Sequence, residues 1–253
     1  MDHQDIYSIV EKEFQDTFIK ELLPGIVHNF ANPLNGIMGR SRLLQRKLAE
    51  IMKKTDVERD ASYWEDNKKL VYDVESIARE ADRLSSMLQH VAGKFCAISD
   101  TTIQRINLSE LIELEMKFFD FYLDFKHSIK KTMQLDRELP EVKGAPADYS
   151  LALSALIRHS MDAMKESASK EFTISTQCDN GHVCMKIQNQ GTPISEDQKR
   201  LLLEESQADY SSLEMTRGGG LLCAFLLLKK WGALFEIQSD SGLNTIAISI
   251  PSQ

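Results

Sequence analysis

The chain has 253 residues, 42% of them apolar, and a formal net charge of −8. That length and apolar content can build one large domain or two modest ones, and the acidic balance argues against a nucleic-acid surface, because phosphate backbones are met by clustered Lys and Arg. The four cysteines, Cys96, Cys178, Cys184 and Cys223, form no C-x-x-C pair, which is the usage of a reducing cytoplasm.

From about Asp5 to Lys54 the sequence reads as one long helix bent at Pro24 and Pro33, since proline removes an intrahelical hydrogen bond without necessarily ending a long element. Ile19, Ile26, Phe30, Pro33, Ile37, Leu44, Leu48 and Ile51 fall close to a three-four alternation, the seam of a helix that buries one face. His28 lies off that seam. At about 100° per residue it turns away from Ile26 and Phe30 and toward Gly25, Asn32 and Asn35, so an exposed imidazole with open space around it is expected. A neutral imidazole is a competent nucleophile at neutral pH. Asn32, one turn on, is placed to orient a water or a phosphoryl oxygen beside it. Taken alone, these residues also fit a surface histidine on an ordinary bundle helix.

Thr55-Asp56 offers a cap for a second helix, in which Leu70, Val74, Ile77, Ala81, Leu84, Leu88, Val91 and Phe95 alternate four and three, the heptad spacing of a bundle. A single helical hairpin leaves such a seam half covered, and pairing two copies closes a four-helix bundle. A homodimer is therefore expected, the alternative being that the seam packs on the C-terminal half of the same chain.

The polar joint Ser99-Asp100-Thr101-Thr102 marks a boundary between residues 1–100 and 101–253. Beyond it, a short strand at Ile103–Leu108 leads to a helix capped by Asn107 or Ser109 and running to about Phe125. A strand at Thr132–Leu135, a loop from Pro140 to Ala147 and a helix from Asp148 to about Lys165 follow. Phe172–Cys178 and Val183–Asn189 flank Asp179-Asn180-Gly181-His182, a hairpin signal. A helix over Ser195–Glu205, a polar loop to Thr216, a buried helix over Leu221–Trp231 and strands at Leu234–Ser239 and Asn244–Ile250 complete an α+β sandwich. The most apolar run, Leu221 to Leu228, is too short to span a membrane, and the polar opening Met1-Asp2-His3-Gln4-Asp5 lacks a signal-peptide core, so a cytoplasmic protein without a membrane span is expected.

The stretch His28-Asn29-Phe30-Ala31-Asn32-Pro33-Leu34 resembles the H-box of two-component sensor histidine kinases, in which a phosphoacceptor histidine is followed by an acidic residue and, four positions on, by Asn or Thr and then Pro-Leu. The resemblance implies that His28 carries the phosphoryl group and that Asn32 assists dephosphorylation of a partner. Asn29 stands where the family has its acid, and an amide cannot take up the imidazole proton. The C-terminal half is similar to the ATP-binding domain of the same kinases, so the likeness covers nearly the whole chain, but its motifs are altered. The family's magnesium-binding Asn corresponds to His159, within Ala155-Leu156-Ile157-Arg158-His159-Ser160-Met161-Asp162-Ala163. The Asp-x-Gly-x-Gly-Ile motif appears as Asn189-Gln190-Gly191-Thr192-Pro193-Ile194, where Asn189 keeps a carbonyl oxygen for an adenine amino group but no charge. The lid segment lacks its phenylalanines, and Gly-x-Gly-Leu-Gly is represented by Gly218-Gly219-Gly220-Leu221-Leu222; Gly218 and Gly220 still suit a phosphate nest.

Together these features imply a retained fold with weak or absent ATP binding, and a histidine phosphotransfer protein that exchanges a phosphoryl group between His28 and the Asp of a response-regulator receiver domain. That reading needs no cofactor and no metal held by this chain. An ATP- and magnesium-dependent autokinase with phosphatase activity is the second reading, with Lys165 or Arg217 available to rescue phosphate binding; a non-catalytic receiver-binding module is the third. Arg40, Arg42 and Gln45 are the candidates for partner specificity.

Overall fold

The computed structural model describes Lys12 and residues 22–53, 56–203 and 219–252. Residues 5–11 and 13–21 of the expected first helix, the cap at Thr55, the lid from residue 204 and Gly218 lie outside the described residues. The chain divides into two compact units, one of Leu23–Ala92 and the other taking the chain from Gly93 onward.

The first unit is a pair of long helices, α1 (Leu23–Lys53) and α2 (Asp56–Ser99), the latter continuing into the second unit. Pro33 sits inside α1 without ending it. The helices meet on a polar contact: Asp73 of α2 is buried and accepts from Lys47 Nζ at 2.5 Å and Arg40 Nη1 at 3.5 Å. Above it Gly36 lies close to Glu80, whose Cγ would be 3.5 Å from a Cβ added there. The heptad seam of α2 is turned partly away from α1, leaving Val74 52% and Leu88 51% exposed. On α1, Val27, Leu34 and Met38 are exposed as well.

The second unit is built on a five-stranded sheet in the order β2 (Lys130–Gln134), β4 (Glu171–Asp179), β5 (His182–Gln190), β7 (Leu243–Pro251) and β6 (Leu234–Asp240). The β2–β4 pair is parallel and the rest are antiparallel. Alternation along the strands puts one apolar row on the core face: Ile174 pairs with Ile187, Ile187 with Ile246 and Ile246 with Ile237, all buried. Helices α3 (Leu108–Phe119), α4 (Leu123–Ser128), α5 (Pro146–Ala163), α6 (Glu196–Leu203) and α7 (Gly219–Lys229) complete the unit. α5 is fastened to the turn that follows α7 through buried Asp148, which accepts from Trp231 Nε1 at 3.0 Å and Lys230 Nζ at 3.3 Å.

Two elements differ from the sequence expectation. The helix expected to run to Phe125 ends at Phe119, where the N–H of Asp120 turns back to the carbonyls of Met116 and Phe118, and a second short helix starts at Leu123; Phe118, Phe119, Phe121, Tyr122 and Phe125 are all buried around this break. The expected loop from Pro140 to Ala147 contains a strand, β3 (Val142–Gly144), which pairs with β1 (Gln104–Ile106) in a separate two-stranded sheet. Three residues between Pro140 and Pro146 are too few to show a period of two.

Candidate functional site

His28 lies in the second turn of α1 and is exposed, as are Asn32 and Asn35 on the same side, while Ile26, Asn29 and Pro33 are buried on the other. The helical period dictates this split: 26, 29 and 33 share one face, and 28, 32 and 35 another. Asn29 is 5% exposed, and its Nδ2 donates to the carbonyl of Gly25 at 2.8 Å. The amide is therefore turned back along its own helix. Of the three residues expected to meet a partner, Arg40 is engaged inside the hairpin, paired with Asp73 and lying 5.3 Å over the Tyr72 ring. Arg42 and Gln45 are exposed.

In the second unit the end of β5 and the end of α5 come together. Gly191 has φ +147°, and a Cβ at this position would lie 2.1 Å from the carbonyl oxygen of Ala163, the last residue of α5. Thr192 N donates to that same oxygen at 2.9 Å, and Gly191 N to the carbonyl of Gly242 at 2.9 Å. Asn244, 1% exposed, completes the strap: its Nδ2 donates to the carbonyl of Thr192 at 2.8 Å, and its Oδ1 accepts from Ser239 Oγ at 2.7 Å and from Ile194 N at 3.3 Å. Asn244 was not singled out in the sequence, yet it stands in the buried parity of Asn244-x-Ile246-x-Ile248-x-Ile250, where a polar residue must find partners.

Asn189, on the last turn of this ladder, is 2% exposed, and its Nδ2 donates to the carbonyl of Gln190 at 3.3 Å. His159 stands one turn before Ala163 on α5. Its Nε2 is buried and has no hydrogen-bond partner among the described residues. Burial holds its pKa below the ordinary value of 6.5, partly opposed by the nearby Asp162 carboxylate, which itself pairs with Lys165 at 2.6 Å. Gly220 lies in the first turn of α7, and Leu222 is 6% exposed, packed into the core.

No protein-family model matches the chain, and no curated protein matches it in sequence. Among solved structures, a nucleotide-free form of the catalytic domain of histidine kinase ThkA is similar over 60% of this chain and 98% of its own, at 19% identity and a TM-score of 0.50. The chain contains the fold of a histidine kinase catalytic domain. Histidine kinase AdeS of Acinetobacter baumannii matches 85% of this chain and 95% of its own at 17% identity and a TM-score of 0.44. ThkA in complex with the response regulator TrrA matches 98% of this chain and 67% of its own at 18% identity and a TM-score of 0.48.

This histidine-kinase fold carries a titratable group where it is sensitive to acid. With His159 held neutral in the folded protein and free to protonate when unfolded, the unfolded state binds more protons below about pH 6.5. Stability is therefore present above that pH and is lost as the pH falls from about 6.5 toward the depressed folded value. The slope contributed by this one site is at most about 1.4 kcal/mol per pH unit. Urea unfolding at pH 7.5 and 5.5 measures it, and His159→Asn is expected to flatten the difference. No helix among the described residues is long and apolar enough to cross a membrane.

Proposed function

We propose that this chain is a two-component phosphotransfer protein in which His28 exchanges a phosphoryl group with the aspartate of a response-regulator receiver domain. The observation that carries the reading is the pairing of an exposed His28, one turn from exposed Asn32, with a neutral, inward-tied Asn29 in the place of a proton-accepting acid. The unprotonated ring nitrogen attacks phosphorus in line; the N–P bond forms as the acyl phosphate O–P bond breaks, and the aspartate leaves as a carboxylate. The proton on the other ring nitrogen then passes to water. Asn32 is placed to hold a phosphoryl oxygen or a water.

The residues at the kinase-like pocket do not fit magnesium and ATP. Magnesium takes hard oxygen ligands in a tight octahedron, whereas His159 offers a nitrogen; Asn189 keeps a carbonyl oxygen for an adenine amino group but brings no charge to that bond. No step of the proposed reaction passes through that pocket. The exposed Val27, Leu34 and Met38 of α1, with Val74 and Leu88 of α2, support a homodimer in which a second hairpin covers them. A cytoplasmic setting suits this chemistry, because receiver domains and their phosphodonors are expected there.

The test is to mix the protein with a phosphorylated receiver and, separately, with labelled ATP and magnesium. Label on His28 from the receiver, and none from ATP, is the expected result. Label from ATP alone would make the protein a kinase; no transfer with any receiver would overturn both the donor and the acceptor role.

A further inference from the structure

The last turns of α2 carry a charged group with no part in the proposed chemistry. Lys94 is 0% exposed, and Glu115 of α3 and Ser150 of α5 are also 0% exposed. Lys94 Nζ has five acceptors within hydrogen-bond reach for its three N–H donors: both carboxylate oxygens of Glu115 at 2.8 Å, Ser150 Oγ at 2.7 Å, Ser154 Oγ at 2.6 Å and the carbonyl of Ser150 at 3.2 Å. Both serine hydroxyls also donate to Glu115. The Phe118 ring lies 5.7 Å from Nζ. One ammonium, one carboxylate and two hydroxyls thus satisfy one another inside an apolar surround.

Such a cluster is a poor device for stability alone, since apolar side chains of similar volume commonly serve as well or better. What it supplies is direction. The ammonium has three donors, and its acceptors come from two helices, so one rotation and one axial position of α2 bring them all within reach. A slip of one residue turns Lys94 by about 100° and moves it about 1.5 Å, and the charge is then buried without partners. The surroundings leave little freedom: a Cβ on Gly93 would lie 2.9 Å from Leu114 Cδ1. The segment after the helix is fastened too. Ala147 N donates to the carbonyl of Asp100 at 3.0 Å, and the Asp100 carboxylate accepts from Thr102 N at 3.0 Å and Gln104 Nε2 at 2.8 Å.

We infer that Lys94 is a register latch, fixing the end of α2 in a single rotational and axial setting against α3 and α5. Gly93–Ser99 then belongs to the sandwich as a structural element and does not act as a flexible linker. Any signal that rotated or slid α2 at this end would have to break the latch.

Hydrogen–deuterium exchange on the full chain tests this with Lys94→Ala and the double variant Lys94→Met/Glu115→Leu, the strands Phe172–Ile187 serving as the internal reference. The double variant is expected to fold with an unfolding midpoint at or above that of the parent, while amides 94–99 lose protection tenfold or more and the reference strands keep theirs. Lys94→Ala is expected to lose protection at 94–99 at least as strongly. Unchanged protection of 94–99 in the double variant would overturn the latch. So would failure of the double variant to fold, or an equal loss in the reference strands, because the cluster would then serve folding and not setting.

Discussion

His28→Gln is expected to abolish labelling by a phosphorylated receiver, a loss of about 10³-fold or more, because no second imidazole lies on α1 (Leu23–Lys53) among the described residues to form the N–P bond. The substitution is made on an exposed side chain, so stability should stay within about 0.5 kcal/mol of the parent. Asn32→Ala is the informative companion. It leaves the nucleophile in place and removes an orienting amide, so transfer should slow by about 10- to 100-fold while the label still appears on His28. Rapid-quench transfer assays with both variants distinguish the two roles. Full transfer by His28→Gln would remove His28 from the chemistry.

Gly191→Ala should produce the largest loss of stability, about 3–5 kcal/mol. Two independent costs meet there: φ +147° is a backbone setting that L side chains avoid, and the new Cβ would lie 2.1 Å from the carbonyl oxygen of Ala163. That oxygen already accepts from Thr192 N, so neither side can retreat without undoing the strap. Gly181→Ala separates the two costs, since Gly181 has φ +76° but nothing within 4 Å of an added Cβ. It should cost only about 1 kcal/mol. Urea unfolding followed through Trp231, whose indole N–H donates to Asp148, measures both. Equal losses would place the whole effect in backbone conformation.

The outward setting of His28 could be read from the helical period alone, because 26, 30 and 33 define a face that 28 cannot share. The direction of the Asn29 amide could not: sequence puts it beside His28, and only the fold shows it bonded to Gly25. The heptads of α2 were equally legible as a pattern, but a pattern does not name its partner. Asp73 and Ser76 are buried within the hairpin while Val74 and Leu88 stay open. Lys94 shows the limit more sharply, since the seam takes in Val91 and Phe95 and passes Lys94 by. The helix changes surroundings at Gly93, and there Lys94 is buried and Phe95 is 38% exposed. The strands from Phe172 to Ile187 and from Leu234 to Ile250 were legible because alternation over seven or more residues is unambiguous. β3, three residues long, lacked the length to alternate.

The neutrality of residue 29 bears on how a donor reaches His28. An acyl phosphate arrives carrying roughly two negative charges, and a carboxylate about 6 Å from it would oppose the approach by about 1–3 kcal/mol per unit of charge. With exposed asparagines at 32 and 35 on the face of His28 and a buried, neutral Asn29 behind it, none of these three neighbours adds a negative charge to oppose the donor. The same substitution that deprives the ring of a proton acceptor thus lowers the electrostatic toll on an incoming anion, and it does so in both directions of the exchange.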